Sequence, residues 1–236
     1  MGHAMRKISL LCPTRGRPDR AANLLSSVMA TQTQDNELLF CLQEDDPMLK
    51  HYTPEVKRRA IMSQPKTTSH YWNLLAEKSQ GEILMLLGDD VTCKTPGWDK
   101  RFNEVYDQYP DGIFNIKFLD GRNKAGRPLP QAPNELPAPH PVISRRWYEA
   151  LGYFTYPGLR HYCVDDWIDT IAKTLGRSIN LYDVEFTHLK QYQADDDVKN
   201  TMRRERWTEV DQETFRRCQR HLNTDIELLR SLMSSH

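Results

Sequence analysis

SHYWNLLAEKSQGEILMLLGDDV, residues 69–91, holds an amphipathic segment, a stop and a short apolar run that ends in two adjacent carboxylates. Tyr71, Trp72, Leu74 and Leu75 predict a helix around 69–79, with Gly81 as its stop signal. The apolar residues Ile83 to Leu87 follow without interruption, the pattern of a strand covered on both faces. Gly88, Asp89 and Asp90 then carry the chain out of that strand. Two close carboxylates repel and are costly to desolvate without a counter-charge. A metal ion, a shared proton or plain solvent exposure at a turn each answers the difficulty.

The same grammar recurs on either side. KISLLC (7–12) is a strand-like run that opens into the arginine-rich loop PTRGRPDR. AANLLSSVMA then places Leu24, Leu25, Val28 and Met29 on one helical face. ELLFCLQ (37–43) is a further buried strand and ends in Glu44, Asp45 and Asp46. Continuous apolar strands alternating with helices predict an α/β fold, a mostly parallel central sheet with helices on both faces. Ligands of such sheets bind beyond the carboxyl ends of the strands, so the three polar loops are expected on one edge.

The later chain is less regular. IFNIKFLDG (113–121) reads as a strand, and 122–141, with six prolines, as a long loop or lid. VISRRWYEALGYF resumes order, VDDWIDTIAKTLGR reads as a helix with acids in its first turn, and INLYDVEFTHL as a late strand. Over 211–233, Phe215, Cys218, Leu222, Ile226, Leu229 and Met233 recur at helical spacing and predict a single amphipathic helix.

Composition bounds the function classes. The chain has 236 residues, 39% hydrophobic and 27% charged, with 32 basic against 32 acidic side chains. That is a globular composition, and its balanced charge gives no bulk argument for nucleic acid or anionic membrane. No apolar stretch approaches the roughly 18 residues needed to span a bilayer. Met-Gly-His-Ala (1–4) reads as an expression remnant ahead of a native start at Met5. The five cysteines are scattered without a Cys-x-x-Cys pair and read as free thiols in a reducing compartment.

At a strand end, Asp89 and Asp90 suit a hard divalent cation, which takes oxygen ligands from one or two carboxylates and from substrate phosphates. The bland alternative is a solvated turn. Arg15 and Arg17 suit phosphate recognition, or a solvated surface turn. Their loop lacks both the P-loop and the dinucleotide glycine patterns. Asp165 and Asp166 read either as a helix cap or as a general base. His188 is either structural or a partner in a carboxylate-bound metal site. Asp195, Asp196 and Asp197 read as a solvated loop. Over 199–220, seven basic and four acidic residues surround Trp207, a mixed-charge helix face or a nucleic-acid contact. No Gly-x-Ser-x-Gly or His-Glu-x-x-His occurs.

In order and spacing, these segments resemble the GT-A glycosyltransferases of the compact family-two type, from Met5 to about Leu189. ISLLCPTRGRP is similar to the family's first strand and nucleotide loop, and SHYWNLLAEKSQGEILMLLGDDV to its helix, strand and DxD passage. HPVISRRWYEALGYF, VDDW, LGR and THL follow in the family's order. The resemblance implies a GT-A fold with a Rossmann-like nucleotide-binding half (5–98), an acceptor half (99–195) and a C-terminal helical extension (196–236). It implies a nucleotide-sugar donor, a UDP-sugar by analogy, held by Pro13, Thr14, Arg15, Arg17, Asp45, Asp46, Asn73 and Asp89. It further implies Mn²⁺ or Mg²⁺ at Asp90, with Asp89 and His188 as further contacts, and Asp165 or Asp166 as the base of an inverting transfer. Gly88 stands where the family often has an acid, which leaves the roles of Asp89 and Asp90 open.

Arg145, Arg146, Trp147 and Trp207 are the expected acceptor contacts. The GDDV variant resembles phage-encoded members, which implies a hydroxylated base in phage DNA as acceptor and the host cytoplasm as location. A polysaccharide or protein acceptor, a sugar nucleotidyltransferase and a non-catalytic nucleotide- or nucleic-acid-binding module are the alternatives.

Overall fold

Strand-like runs and amphipathic segments fold as alternating layers in a computed structural model that describes residues 5–120, 139–189 and 196–234. The first half contains β1 (Ile8–Pro13), α1 (Pro18–Thr31), β2 (Glu37–Gln43), α2 (Pro54–Lys57), β3 (Ala60–Ser63), α3 (Thr68–Lys78), β4 (Ile83–Leu86) and β5 (Val91–Cys93). The second contains α4 (Trp98–Gln108), β6 (Asn115–Leu119), β7 (Val142–Ser144), α5 (Arg145–Leu151), α6 (Val164–Thr174) and β8 (Ser178–His188). Three helices close the chain: α7 (Asp196–Arg204), α8 (Trp207–Arg217) and α9 (Gln219–Met233). Among the described residues no helix is long and apolar enough to cross a membrane. The proline-rich loop expected at 122–141 falls almost wholly outside the described residues.

The sheet runs β3-β2-β1-β4-β7-β6-β8-β5. β1 pairs in parallel with β2 and β4, and β2 with β3. β7 is antiparallel to both β4 and β6, which restores the direction of β6 to that of β4, and β6 pairs in parallel with β8. The carboxyl ends of β1, β2, β4, β6 and β8 therefore share one edge of the sheet. β7 leaves at the opposite edge. This mixed sheet is the α/β architecture expected from the sequence.

Burial explains the uninterrupted apolar runs. In β4 and the residue after it, Ile83, Met85 and Leu87 join one core with α1 (Leu24, Val28) and α4 (Trp98, Phe102). Leu84 and Leu86 join the other, with α3 (Trp72, Leu75), α5 (Trp147), α6 (Ile168, Ile171) and α9 (Leu229). Successive side chains of a strand point to opposite faces, so a strand covered on both sides must be apolar throughout. Gly81, just before β4, passes against β1, where an added Cβ would sit 2.6 Å from the backbone nitrogen of Ser9.

The C-terminal segment departs from the single helix expected over 211–233. α8 ends and α9 begins at Cys218, whose ψ of 20° leaves the helical range. The bend lets Leu222, Ile226 and Leu229 enter the second core while Phe215 meets the edge of Trp167. No glycine or proline marks the break, so the helical spacing runs on through it.

Candidate active site

The loop after β1 and the turn after β4 are tied together through Asp89. Its carboxylate is buried, accepting a hydrogen bond from Thr14 Oγ1 at 2.7 Å and pairing with Arg17 Nη1 at 2.9 Å. Burial raises the Asp89 carboxyl above its ordinary value, while Arg17 and Thr14 pull it back. Charge-assisted bonds of this kind are the means by which a buried carboxylate stays ionised. Asp89 thus closes two strand ends into one rim.

The loop after β2 is built around Asp46. This buried carboxylate accepts from the backbone N–H of Gly16 at 2.9 Å, from that of Met48 at 2.8 Å and from the hydroxyl of Tyr52 at 3.0 Å. The neighbouring Asp45 is exposed and pairs with Arg15 at 2.5 Å, while Arg15 also donates to Gln43 Oε1 at 2.9 Å. Thr14, Arg15, Arg17, Asp45, Asp46 and Asp89 therefore converge, with Pro13 at the end of β1 beside them.

Asp90 is placed differently. It is only half-buried, and among the described residues its carboxylate makes no hydrogen bond or ion pair, while its carbonyl accepts from the Leu189 N–H at 2.7 Å. A Cβ at Gly88 would stand 2.8 Å from Asp90 Oδ1, so the missing side chain at position 88 is what lets this carboxylate fold back over the turn. Antiparallel pairing of Val91 with His188 brings β8 to the same turn. His188 Nδ1 lies 3.7 Å from Asp120 Oδ2 and its ring stacks on His140 at 4.7 Å. No group of three His, Cys, Asp or Glu among the described residues is arranged to hold a metal unaided. A carboxylate with no partner among the described residues fits a hard cation that draws its remaining oxygens from phosphate and water.

α6 ends a short turn before β8 begins at the far edge, so its start points back toward the near edge. Asp169 of α6 holds the buried Lys117 of β6 at 3.3 Å, and Asp165, one turn earlier, lies on the same helix face. Asp165 is half-buried, and burial first, then the charge of Asp166, raises its carboxyl above the ordinary value. Asp166 is exposed. Perturbed carboxyls of this sort are candidates for proton transfer.

Other expected contacts lie elsewhere. Asn73 is spent on the backbone, accepting from the N–H groups of Phe154 and Thr155 at 2.9 and 2.8 Å and donating to the Thr155 carbonyl at 2.7 Å. Arg145, Arg146 and Trp147, expected as acceptor contacts, follow the antiparallel β7 and so sit at the edge opposite the Asp89 rim. Arg145 donates to the carbonyls of Gly81 and Ser79 at 2.7 and 3.0 Å, Arg146 packs beside Gly112, and Trp147 is fully buried. Trp207 is also buried, with its indole N–H on Glu205 at 2.8 Å, so its ring offers no face to a nucleic-acid base. Asp195 lies outside the described residues, and Asp196 and Asp197 open α7 rather than a loop. Sequence reasoning missed Tyr52, Asp120 and His161. Only Asp120, at the end of a strand-like run, carried the signal that the other acids had.

No family model matches the chain, and no curated protein matches it. Solved structures do. TarS 1–349 of S. aureus in complex with UDP-GlcNAc superposes with a TM-score of 0.57 at 17% identity, over 78% of this chain and 59% of that one. The mannosyltransferase PcManGT from Pyrobaculum calidifontis, in complex with GDP-Man and Mn²⁺, gives 0.59 at 14% identity, over 98% of this chain and 74% of that one. The chain has the GT-A glycosyltransferase fold. It spans about 60% of the TarS 1–349 chain. The rim built by Asp89 lies at the carboxyl edge of β1, β2 and β4.

Proposed function

We propose that this protein transfers a sugar from a nucleotide-sugar donor to an acceptor hydroxyl, with a divalent cation held at Asp90. The observation that carries the reading is the contrast within one doublet. Asp89 is engaged by Thr14 and Arg17, whereas Asp90 keeps its carboxylate clear of partners among the described residues, at the carboxyl edge where open α/β sheets bind their ligands. Mn²⁺ or Mg²⁺ held there would supply positive charge against the departing nucleoside diphosphate.

The chain's own residues do the rest. Arg15 and Arg17 place positive charge beside the diphosphate, and Asp45 meets the edge of the nucleobase, with a UDP-sugar as the first donor to test. Asp46 acts indirectly, by shaping the loop through Gly16 and Tyr52. Asp165 takes the proton from the acceptor hydroxyl as it attacks the anomeric carbon opposite the diphosphate, a direct displacement that inverts configuration. Its raised carboxyl suits a base that must hold a proton as the bond forms. His188, steered by Asp120, borders the cation side.

Product analysis tests the reading. Incubation with Mn²⁺ and UDP-GlcNAc, UDP-glucose or GDP-mannose releases nucleoside diphosphate if it holds. Formation of pyrophosphate from sugar phosphate and nucleoside triphosphate would assign a nucleotidyltransferase instead.

A further inference from the structure

We propose that Asp211, in the C-terminal helical extension, is a positioning residue for the transfer site, holding the loop that joins the Trp72 side of the site to the acid pair of α6. The inference rests on the reading given under Proposed function.

Asp211 lies on α8 and is fully buried. Its carboxylate accepts from three successive backbone N–H groups, those of Arg160 at 2.8 Å, His161 at 2.9 Å and Tyr162 at 2.7 Å. Successive N–H groups aimed at one point form an anion-binding concavity, and here the anion comes from fifty residues further along the chain. A buried carboxylate is tolerable only when bonded in this way. The mixed-charge run that reads as a solvated face thus turns one acid inward.

The loop it grips leads in two directions. The His161 ring stacks on Trp72 at 5.9 Å with an interplanar angle of 18°, and the Trp72 indole N–H donates to the carbonyl of Leu87 at 3.3 Å, next to Gly88. Nδ1 of His161 is buried with no hydrogen-bond partner among the described residues, and the ring lies close enough to feel the charge of Asp90 as well as that of Asp211. In the other direction stands Cys163, a non-glycine residue in the left-handed region with a φ of 60°, immediately before α6 and Asp165. Such a backbone is strained for a non-glycine residue and persists only where its surroundings over-determine it. Asp211 supplies one restraint, and the Ser69 N–H, which donates to the Arg160 carbonyl at 2.9 Å, supplies another. One carboxylate therefore sets both the ring beside the doublet and the start of the base-bearing helix.

The test uses the full chain, with histidine side chains and backbone amides labelled for NMR, and Mn²⁺ with UDP as the probe. In the wild type, paramagnetic broadening reaches the His161 ring together with the Val91 and Leu189 amides beside Asp90. In Asp211→Asn, of equal size but without the charge, broadening of the His161 ring falls severalfold while that of the two amides is retained. With whichever donor the wild type turns over, kcat falls about 10- to 100-fold and donor KM stays within about twofold. Equal broadening of the His161 ring in both proteins overturns the proposal, as does a wild-type His161 ring untouched while the amides broaden. No broadening anywhere removes the metal–nucleotide reading itself, a distinguishable failure. If Asp211→Asn does not fold, Asp211→Glu, which keeps the charge on a longer arm, carries the same comparison.

Discussion

Asp89 and Asp90 are adjacent in sequence, yet their surroundings give them different work. Asp89→Asn removes the charge that pairs with Arg17 and loosens the rim, so both thermal stability and donor binding fall. Asp90→Ala removes most donor turnover and leaves the melting temperature close to wild type, which calorimetry and a nucleotide-release assay check together. Gly88→Ala pushes the Asp90 carboxylate aside, since its Cβ would stand 2.8 Å from Oδ1, and raises the Mn²⁺ concentration needed for half-maximal rate. The division between the two acids was not legible beforehand, because the groups that engage Asp89 lie 75 and 72 residues away in Thr14 and Arg17. The pair in α6 separates by pH. Asp165, raised by burial and then by Asp166, gives kcat an acid limb above the ordinary carboxylate value of 3.8, and Asp166→Asn moves that limb to lower pH without abolishing turnover. The stability sign follows from the same shift. A carboxyl raised in the fold favours folding in its protonated form, an advantage complete below its unfolded pKa and lost as pH rises through its folded one. Asp165→Asn accordingly melts above wild type near neutral pH, and the gap closes on acidification.

Elements tell how far pattern reaches. The apolar run of β4 and the spacing of α3 identify themselves, because a doubly covered strand and an amphipathic helix each have a period that residues must obey. The bend between α8 and α9 does not, because Cys218 carries no turn chemistry and the core, not the local sequence, decides where α9 points. Leu229 is fully buried in that core, so Leu229→Ala costs about 2–5 kcal/mol, and chemical denaturation reads the loss. β6 shows a second limit. Lys117 looks like the polar side of a strand, yet it is buried against Asp169 of α6 at 3.3 Å. Asp169→Ala strands that charge and destabilises the protein by about 3–5 kcal/mol, whereas Lys117→Met paired with Asp169→Leu recovers most of the loss.

At the scale of the whole molecule, function follows from strand direction. Loops after β1, β2 and β4 share an edge because their strands are parallel, and that much was readable from three apolar runs that each end in charge. The reversal at β7 was not readable. It alone sends Arg145, Arg146 and Trp147 to the far edge, while β6, β8 and the start of α6 return to the near one. Both halves of the sheet, and the extension that grips loop 160–162, are expected to serve one metal-assisted transfer at the near edge. The most direct measurement is nucleoside diphosphate release from UDP- and GDP-sugars with Mn²⁺, compared with the same reactions in EDTA and with Asp90→Ala. Release that needs Mn²⁺ and collapses in the variant is the predicted result, and release undiminished in EDTA or in Asp90→Ala would contradict the account.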